Sequence, residues 1–473
     1  MNIIVNDASV ELYIRHICIE IFQSDFYKDI DLTVNIIKDD DKYSASAHLL
    51  GHTSFSSQKI SLPSAKTCAV GKAIILLGVK LGYSPSPYGV LTGVRPVKIA
   101  SQLIKKFGKE ECINLLKNEY FVKREKISSL IKCANVDKEY REEYNKNDVS
   151  LYLSIPFCPT RCNYCSFVSA STERQRALIP EYLKTLFCEM NEVERVVSEN
   201  NLIVRSVYVG GGTPGILDES QTNSLISQIN KLFVTDNCIE FNYEIGRPET
   251  VTREKLNVLK DGGVNRISIN TQSTSNEVLK AIGRRHSSKQ YFDAVVLSRE
   301  IGFESINTDL IAGLEADTLN TFKKSVDEVI CAGVNSITIH SLCLKKSSKI
   351  KDDASLSHFS KNIDEYIEYA KNNCISNGFE PYYLYRQKYS LGNHETVGYT
   401  KNKPSYYNIV MMNEIGSVIG MGAGATSRIS LKNNNLHFAN YKYPYEYIKD
   451  SDKFLKELYN MDTIFKTLTG ENG

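Results

Sequence analysis

Short runs rich in β-branched and aromatic residues recur through the middle of the chain, separated by longer stretches with helical periodicity. Two of these stretches, residues 181–199 and 318–333, place apolar residues on one helical face. Strands that alternate with helices predict a parallel α/β sheet, closed or partly closed, with functional groups at the carboxyl ends of the strands. The predicted strands are LYLSIP (151–156), VRSVYVG (204–210), IEFNYEI (239–245), NRISINT (265–271), ESINTDLI (304–311) and NSITIHSL (335–342).

The first 150 residues follow a different pattern. Strand-like alternation in ELYIRHICIEIF (11–22) and in residues 31–49 precedes a helical stretch over 69–83. The segment TGVRP (92–96) is typical of a loop that enters a helix, whose free N–H groups bind anions, or of a simple packing loop. We therefore expect an N-terminal α+β domain over 1–148. A core barrel over 149–430 and a short C-terminal helical tail over 431–473 follow it.

Length and charge limit the classes of protein to consider. A chain of 473 residues is too long for one ordinary domain. Its 57 Lys and Arg residues nearly balance 55 Asp and Glu residues, so no strong field favours nucleic acid or membrane surfaces. No apolar run approaches the roughly 18 residues of a membrane span, and the N-terminus does not resemble a signal peptide. We expect a cytoplasmic protein.

Three of the twelve cysteines form a cluster in the chain. Cys158, Cys162 and Cys165 lie within IPFCPTRCNYCSF (155–167) with the spacing C-x3-C-x2-C, directly after the first predicted strand of the barrel. The nine scattered cysteines are interpreted as reduced thiols that serve as small apolar residues.

Three explanations of the cysteine cluster can be compared. Structural zinc usually takes four ligands, and the nearest downstream histidine is His286. A disulfide would leave one thiol unpaired. A [4Fe–4S] cluster held by three thiolates keeps one iron open for a small molecule, and the aromatic Tyr164 and Phe167 would shield it. The spacing favours the iron–sulfur cluster, while zinc and coincidence stay open.

Two features of the next strand ends also suggest a ligand site. The second strand ends in GGGTP (210–214), where glycines permit close approach of backbone amides to a ligand or form a plain turn. The third strand ends at Glu244, which is either a ligand contact or a solvated acid.

The motif C-x3-C-x2-C, with an aromatic residue before its last cysteine, resembles the signature of radical S-adenosylmethionine (SAM) enzymes. The resemblance implies a partial (β/α)6 barrel with a [4Fe–4S] cluster whose open iron binds the amino and carboxylate groups of SAM. An electron from the cluster then cleaves SAM to a 5′-deoxyadenosyl radical, which abstracts hydrogen from a substrate. The protein positions the cofactors and excludes water.

The same resemblance assigns roles to individual residues. It implies cluster ligation by Cys158, Cys162 and Cys165. It also implies a SAM site at which Gly211, Gly212 and Thr213 contact the amino group and Glu244 holds the ribose. The remaining residues expected around SAM are Tyr152, Tyr164, Gln272, Arg284 and Asp309.

Further motifs narrow the family. RISINTQS (266–273), GRRH (283–286), NTDLIAGL (307–314) and IGMGAGATS (419–427) resemble, in that order, the oxygen-independent coproporphyrinogen III oxidase-like branch. LTGVRP and YYLYRQK resemble its longer subgroup, often named coproporphyrinogen dehydrogenase, which has an extra N-terminal domain. Without the resemblance, Arg284 would be interpreted as part of an exposed basic turn and Asp309 as a strand-end acid.

The resemblance implies an oxidoreductase of haem biosynthesis. The expected reaction is oxidative decarboxylation of coproporphyrinogen III to protoporphyrinogen IX, with a protein reductant such as flavodoxin or ferredoxin. The alternatives are a haem-binding chaperone of the same branch and a radical SAM enzyme that acts on another tetrapyrrole.

Two surfaces are expected to meet the tetrapyrrole. One is an aromatic and cationic surface in YYLYRQKYSLGNHETVGY (382–399), to which ordinary strand packing is the alternative. It would be formed by Tyr382, Tyr383, Tyr385, Arg386 and Lys388. The other is the N-terminal domain, which we expect to cover the barrel mouth with Arg95 and Lys98.

Four departures from the branch affect the interpretation. Ser154 replaces a histidine beside the cysteine motif, which could alter a cluster potential or a proton route. Phe167 stands where true coproporphyrinogen oxidases have a fourth cysteine, as in relatives that handle haem. Glu315 replaces a proline, and only 46 residues follow Ser427, too few for the C-terminal domain of many relatives.

Overall fold

The computed structural model describes residues 1–167, 170–343, 363–387, 390–431 and 434–470. The chain forms two compact units. One comprises Met1–Glu139 and Tyr383–Thr396, and the other comprises Tyr140–Tyr382 and Val397–Gly473. The domain boundaries expected after residues 148 and 430 stay a prediction.

The first unit contains a four-stranded sheet with the order β1-β2-β3-β4. β1 is parallel to β2, and the other pairs are antiparallel. Alternate residues of β3 (Ala45, Ala47 and Leu49) are buried, as expected for a sheet with one covered face. The strands are β1 (Asn2–Val5), β2 (Asp31–Lys38), β3 (Lys42–Leu49) and β4 (His52–Lys59). The helices are α1 (Glu11–Phe22), α2 (Ala65–Lys80), α3 (Pro96–Phe107), α4 (Lys109–Asn118) and α5 (Arg124–Glu143), whose last residues belong to the second unit.

The strand predicted over residues 11–22 is wrong, because this segment is helix α1. Its buried residues recur at the three- and four-residue spacing of a helix rather than at the two-residue spacing of a strand. The high content of isoleucine favoured a strand, but the one-sided burial selects the helix. These buried residues are Ile14, Ile17, Cys18, Ile21 and Phe22.

The prediction that residues 382–388 form an aromatic and cationic surface is also wrong for most of the residues named. Tyr382, Tyr383 and Arg386 are buried, and only Tyr385 is partly exposed. The Arg386 guanidinium donates to the carbonyl of Asn393 at 3.0 and 3.2 Å and to other groups of the first unit. The alternative of ordinary packing therefore holds for these three residues, and Lys388 lies outside the described residues.

Six parallel strands form the centre of the second unit in chain order, from β5 to β10. They are β5 (Asp148–Ile155), β6 (Ile203–Gly211), β7 (Glu240–Glu244), β8 (Arg266–Ser268), β9 (Ser305–Ala312) and β10 (Ser336–Ser341). They coincide with the six predicted strands. The α/β class with a partial barrel is confirmed.

The remaining strands flank these six, so the first and sixth strands do not pair and the barrel stays open. They are β11 (Glu380–Arg386), β12 (Glu395–Thr400), β13 (Ser417–Met421), β14 (Thr426–Ser430) and β15 (Asn435–Ala439). β13 is parallel to β5 and β12 is antiparallel to β10, in the order β11-β12-β10-β9-β8-β7-β6-β5-β13-β14-β15. The segment expected as a helical tail thus begins with a strand, β15.

Helices connect the parallel strands, and several begin at a capping box, in which a polar side chain satisfies free N–H groups of the first turn. Asp218, Ser287 and Thr318 cap α8, α11 and α12 in this way. The helices are α6 (Glu173–Arg176), α7 (Ile179–Glu199), α8 (Glu219–Phe233), α9 (Arg253–Asp261), α10 (Asn276–Ala281), α11 (Ser288–Glu300), α12 (Leu319–Cys331), α13 (Ile363–Ser376), α14 (Tyr406–Asn413), α15 (Pro444–Lys449) and α16 (Asp452–Gly470).

Three tyrosines of the second unit, from β5, β6 and α14, pack against one another. The ring of Tyr208 stacks on that of Tyr407 with centroids 4.6 Å apart, and Tyr152 lies 6.0 and 6.1 Å from these two rings. Tyr407 is buried, whereas Tyr152 and Tyr208 are partly exposed. In the described part of the chain, no helix is long and apolar enough to cross a membrane.

Candidate functional site

The three clustered cysteines lie on a loop that leaves the carboxyl end of β5. The Cys158 N–H donates to the Ala170 carbonyl at 2.9 Å, and the Asn163 N–H donates to the Ile282 carbonyl at 3.1 Å. These bonds attach the loop to the segment before α6 and to the end of α10. Cys158 and Cys162 are buried, whereas Cys165 is partly exposed. The fold therefore places the thiols at the edge of the sheet where parallel α/β proteins collect functional groups.

Two side chains from other strand ends donate to these thiols. The Thr213 hydroxyl lies 3.4 Å from the Cys158 sulfur, and Arg247 Nη2 lies 3.1 Å from the Cys162 sulfur. Burial raises the pKa of the Cys165 thiol to about 11, and the neighbouring Cys162 and Cys158 add to the effect. A bound metal would offset this rise, because thiol ligands bind in the deprotonated form.

The thiols suit an iron–sulfur cluster in their chemistry. Within the part of the chain that the structure describes, no three His, Cys, Asp or Glu side chains are grouped as ligands of one metal ion. A [4Fe–4S] cluster does not need such a group, because each thiolate binds a different iron. Three soft thiolates on one loop, with two of them receiving hydrogen bonds, fit that donor set.

The glycine run at the end of β6 packs directly against the cysteine loop. A Cβ atom on Gly212 would lie 2.6 Å from the Phe157 carbonyl oxygen and 3.0 Å from the Cys158 sulfur. Gly211 has a φ of +111°, which favours glycine. The Gly212 and Thr213 N–H groups donate to the carbonyls of Ile155 and Phe157 at 2.9 and 2.8 Å. The glycines thus provide close approach, although these two amides already bind the protein.

A buried acid lies beside this glycine run. Glu244, at the end of β7, accepts from Asn270 Nδ2 at 3.1 Å and from the Tyr208 hydroxyl at 3.4 Å. Burial, with a smaller contribution from the nearby Asp309, raises the pKa of Glu244 to about 8, against the effect of these hydrogen bonds. The Glu244 carboxyl therefore holds its proton near pH 7, and it is not the solvated acid that its position in the sequence would also allow.

Gln272 follows β8 and lies beside Asp309 of β9, and Arg284 follows α10. The Gln272 N–H donates to the Asp309 carbonyl at 2.9 Å, and Gln272 has a φ of +71°, which is uncommon for a residue with a side chain. Arg284 donates to the Tyr164 hydroxyl at 3.2 Å and to the Asn270 carbonyl. Arg284 is buried, so it is not part of an exposed basic turn.

Several buried polar atoms at these strand ends have no hydrogen-bond partner among the described residues. They are Gln272 Oε1, Asn270 Oδ1 and Arg284 Nε. Buried polar groups are nearly always satisfied in a functional protein, so these atoms indicate a polar ligand or ordered water. A ligand with hydroxyl, amino and carboxylate groups, such as SAM, fits these donors and acceptors.

The sequence did not single out every polar residue in this region. His340 on β10 lies 3.6 Å from the Asp309 carboxylate, and Arg247, Glu249 and Asn270 also lie at the strand ends. Burial opposes ionisation of Asp309, but contacts with His340 bring the pKa of its carboxyl below its usual range. Each of these residues lies within a few positions of the end of a predicted strand. That position is the feature of the sequence that could have identified them as candidate site residues.

Ser154, Phe167 and Glu315, which differ from the motif pattern described in the sequence analysis, occupy different environments. The Ser154 hydroxyl is buried and donates to the Ala423 carbonyl at 2.8 Å, so it connects β5 to the segment after β13. Phe167 is 67% exposed, and Glu315 is exposed as well.

Comparison with known proteins shows the family of the chain. Residues 152–329 match the Radical SAM superfamily. The chain is 35% identical over 402 residues to the oxygen-independent coproporphyrinogen-III oxidase-like protein HemZ of Bacillus subtilis, which covers 81% of this chain and 79% of that protein. It is 34% identical over 197 residues to the heme chaperone HemW of the same species, which covers 41% of this chain and 51% of HemW.

The fold is also similar to a solved structure. Coproporphyrinogen III oxidase (HemN) from Escherichia coli superimposes with a TM-score of 0.50 and 23% identity, over 67% of this chain and 72% of that chain. This likeness supports the partial barrel at the level of the fold.

Proposed function

Because the chain belongs to the radical SAM superfamily, in the oxygen-independent coproporphyrinogen III oxidase-like branch, we propose that Cys158, Cys162 and Cys165 hold a [4Fe–4S] cluster. Members of this superfamily bind such a cluster together with SAM. The observation that carries the proposal is the position of the three thiols at the carboxyl end of β5, together with the unpartnered polar atoms of Asn270, Gln272 and Arg284. When bound, the cluster and SAM supply one-electron cleavage of SAM and hydrogen abstraction from a substrate.

The residues of the chain would position these groups. In this proposal the Glu244 carboxyl would hold ribose hydroxyls, and its hydrogen bonds with Asn270 and Tyr208 would fix its orientation. Gln272 and Arg284 offer free polar atoms to the rest of SAM, and Asp309 is held by Asn307 Nδ2 at 2.9 Å. The further SAM contacts that we propose are Tyr152, Tyr164, Gly211, Gly212 and Thr213.

The proposed reaction is oxidative decarboxylation of coproporphyrinogen III to protoporphyrinogen IX. Two propionate side chains would each lose a hydrogen at the β carbon and then CO2, which leaves two vinyl groups and passes the electrons to an external acceptor. The similarity to HemZ across most of both chains supports this choice. A protein reductant such as flavodoxin or ferredoxin, and a cytoplasmic location, belong to the same proposal.

A haem chaperone is the second candidate. The similarity to HemW over 41% of this chain supports it, and Phe167 agrees with it, because true oxidases have a cysteine at this position. A radical enzyme that acts on another tetrapyrrole is the third possibility for the same site.

Anaerobic turnover separates these candidates. The reconstituted protein is incubated with SAM, dithionite and coproporphyrinogen III, and mass spectrometry follows protoporphyrinogen IX and 5′-deoxyadenosine. An oxidase forms both, and the substrate stimulates SAM cleavage. Tight haem binding without stimulated cleavage would instead favour the chaperone.

The cluster ligands are tested by substitution. Changing Cys158, Cys162 or Cys165 to alanine is expected to abolish the iron–sulfur chromophore, since each thiolate holds one iron. The exposed Cys188 and Cys331, changed to alanine, are matched controls and should leave about four irons per chain. Stoichiometric zinc in anaerobically prepared protein would contradict the cluster.

A further inference from the structure

One buried arginine contacts the cysteine loop and has no role in the proposed SAM site. Arg247 follows β7 by three residues and is 2% exposed. An arginine is almost never buried unless its charge and its N–H groups are satisfied. The partners of Arg247 therefore indicate what it is for.

These partners lie on the cysteine loop. Arg247 Nη1 donates to Thr160 Oγ1 at 2.9 Å, and Nη2 donates to the Thr160 carbonyl at 2.7 Å. Nη2 also lies 3.1 Å from the Cys162 sulfur, within hydrogen-bond distance of a thiolate. The planar guanidinium thus connects the middle of the loop to the end of β7 and points an N–H group at one proposed cluster ligand.

A second layer of residues holds the guanidinium in place. The Glu249 carboxylate lies 3.3 Å from Arg247 Nη1, and His286 Nδ1 lies 3.3 Å from the same carboxylate. Arg247 and His286 are buried, and Glu249 is largely so. This chain fixes the direction of the Arg247 donor, much as residues around a metal site orient its ligands.

The donor from Thr213 to Cys158 differs in charge from this guanidinium. Cys158 receives a neutral hydroxyl donor from Thr213 at 3.4 Å. The Cys162 sulfur instead receives a cationic donor, the Arg247 guanidinium. A positive charge and an N–H group at a ligand sulfur stabilise the additional electron of a reduced cluster.

We propose that Arg247 is a positioning residue that donates a charge-assisted hydrogen bond to the Cys162 sulfur and thereby raises the reduction potential of the cluster. The proposal rests on the cluster ligands given under the proposed function. Its consequence is that a weaker reductant suffices for the one-electron step that begins the reaction.

The test compares Arg247→Met, which removes the charge and the donors, with Arg247→Lys, which keeps the charge but not the forked geometry. Arg253→Met is the matched control, because Arg253 is an exposed arginine on α9 that pairs with Glu300 at 2.9 Å. Each variant is reconstituted anaerobically without SAM. Iron and sulfide are counted, and the midpoint potential is measured by redox titration followed by electron paramagnetic resonance.

We expect Arg247→Met to keep its cluster and to show an equilibrium constant for one-electron reduction at least tenfold lower, which corresponds to a potential about 59 mV more negative. Arg247→Lys should fall between this value and the wild type, and Arg253→Met should equal the wild type. A purely structural role for Arg247 would not give this graded change in potential.

Two results would overturn the proposal. One is an unchanged potential in Arg247→Met with the cluster retained. The other is loss of the cluster from both Arg247 variants, which would make the contact a requirement for assembly. If only Arg247→Met loses its cluster, a lowered potential in Arg247→Lys supports the proposal and an unchanged one overturns it. Retention of the cluster in Cys162→Ala would instead refute the ligand assignment itself.

Discussion

A buried carboxyl group on α7 offers a quantitative test of how the C-terminal segment is attached beside the cysteine loop. Glu189 accepts from the Gly422 N–H at 2.7 Å, from the Tyr447 hydroxyl at 2.6 Å and from Asn440 Nδ2 at 2.8 Å. The change Glu189→Gln keeps the shape of the side chain and removes its ability to ionise. The glutamine amide oxygen can still accept from Gly422 and Tyr447, and the changed contact with Asn440 is the same at every pH.

The pKa of Glu189 gives the size and the sign of the expected effect. Burial raises this pKa from its ordinary 4.5 to about 7, against the effect of the three donors. The folded protein therefore binds a proton between pH 4.5 and pH 7 that the unfolded chain releases. The contribution of this group to stability is complete below pH 4.5 and is lost as the pH rises through 7. A difference of about 2.5 in pKa corresponds to roughly 3 kcal/mol.

Urea unfolding at several pH values measures this effect. The chain has no tryptophan, so far-ultraviolet circular dichroism is the suitable signal. Between pH 4.5 and pH 8 the free energy of unfolding of the wild type should fall relative to that of Glu189→Gln by roughly 3 kcal/mol. Glu181→Gln, at an exposed position of the same helix, controls for the change in net charge. Parallel pH profiles for the wild type and Glu189→Gln would refute the reasoning.

Two further experiments test side-chain packing, one in each unit. Lys126 and Glu395 form an almost fully buried ion pair at 3.1 Å. Lys126→Met should lower the free energy of unfolding by about 3–5 kcal/mol, because it removes the main charge that offsets the buried Glu395 carboxylate. Adding Glu395→Leu should recover much of this loss in urea unfolding, and no recovery would contradict the account. Gly212→Ala should lower the iron content after reconstitution, because its Cβ would lie 2.6 Å from the Phe157 oxygen. Gly93→Ala has open space and should retain the wild-type content.

The six central strands and the position of the cysteine loop could be predicted from the sequence. Both depend on local patterns: β-branched runs form strands, helical periods form the connections, and Cys158 follows the first run by two residues. The prediction was wrong at residues 11–22, where residue type and spacing disagreed and the spacing decided the structure. The surface expected at Tyr383 and Arg386 was wrong because an aromatic, cationic sequence does not show which side of a strand is covered.

The resemblance named the candidate site residues, but their environments could not be obtained from sequence. Arg247 and Cys162 are 85 positions apart and meet because the loops after β5 and β7 leave the same edge of the sheet. The pKa of Glu244 depends on burial and on Asp309, a residue of β9. The sequence by itself determined which side chains are available and which strand ends carry them. Only the tertiary structure decided which of them touch and how much water reaches them, because desolvation and hydrogen bonding depend on atoms contributed by distant parts of the chain.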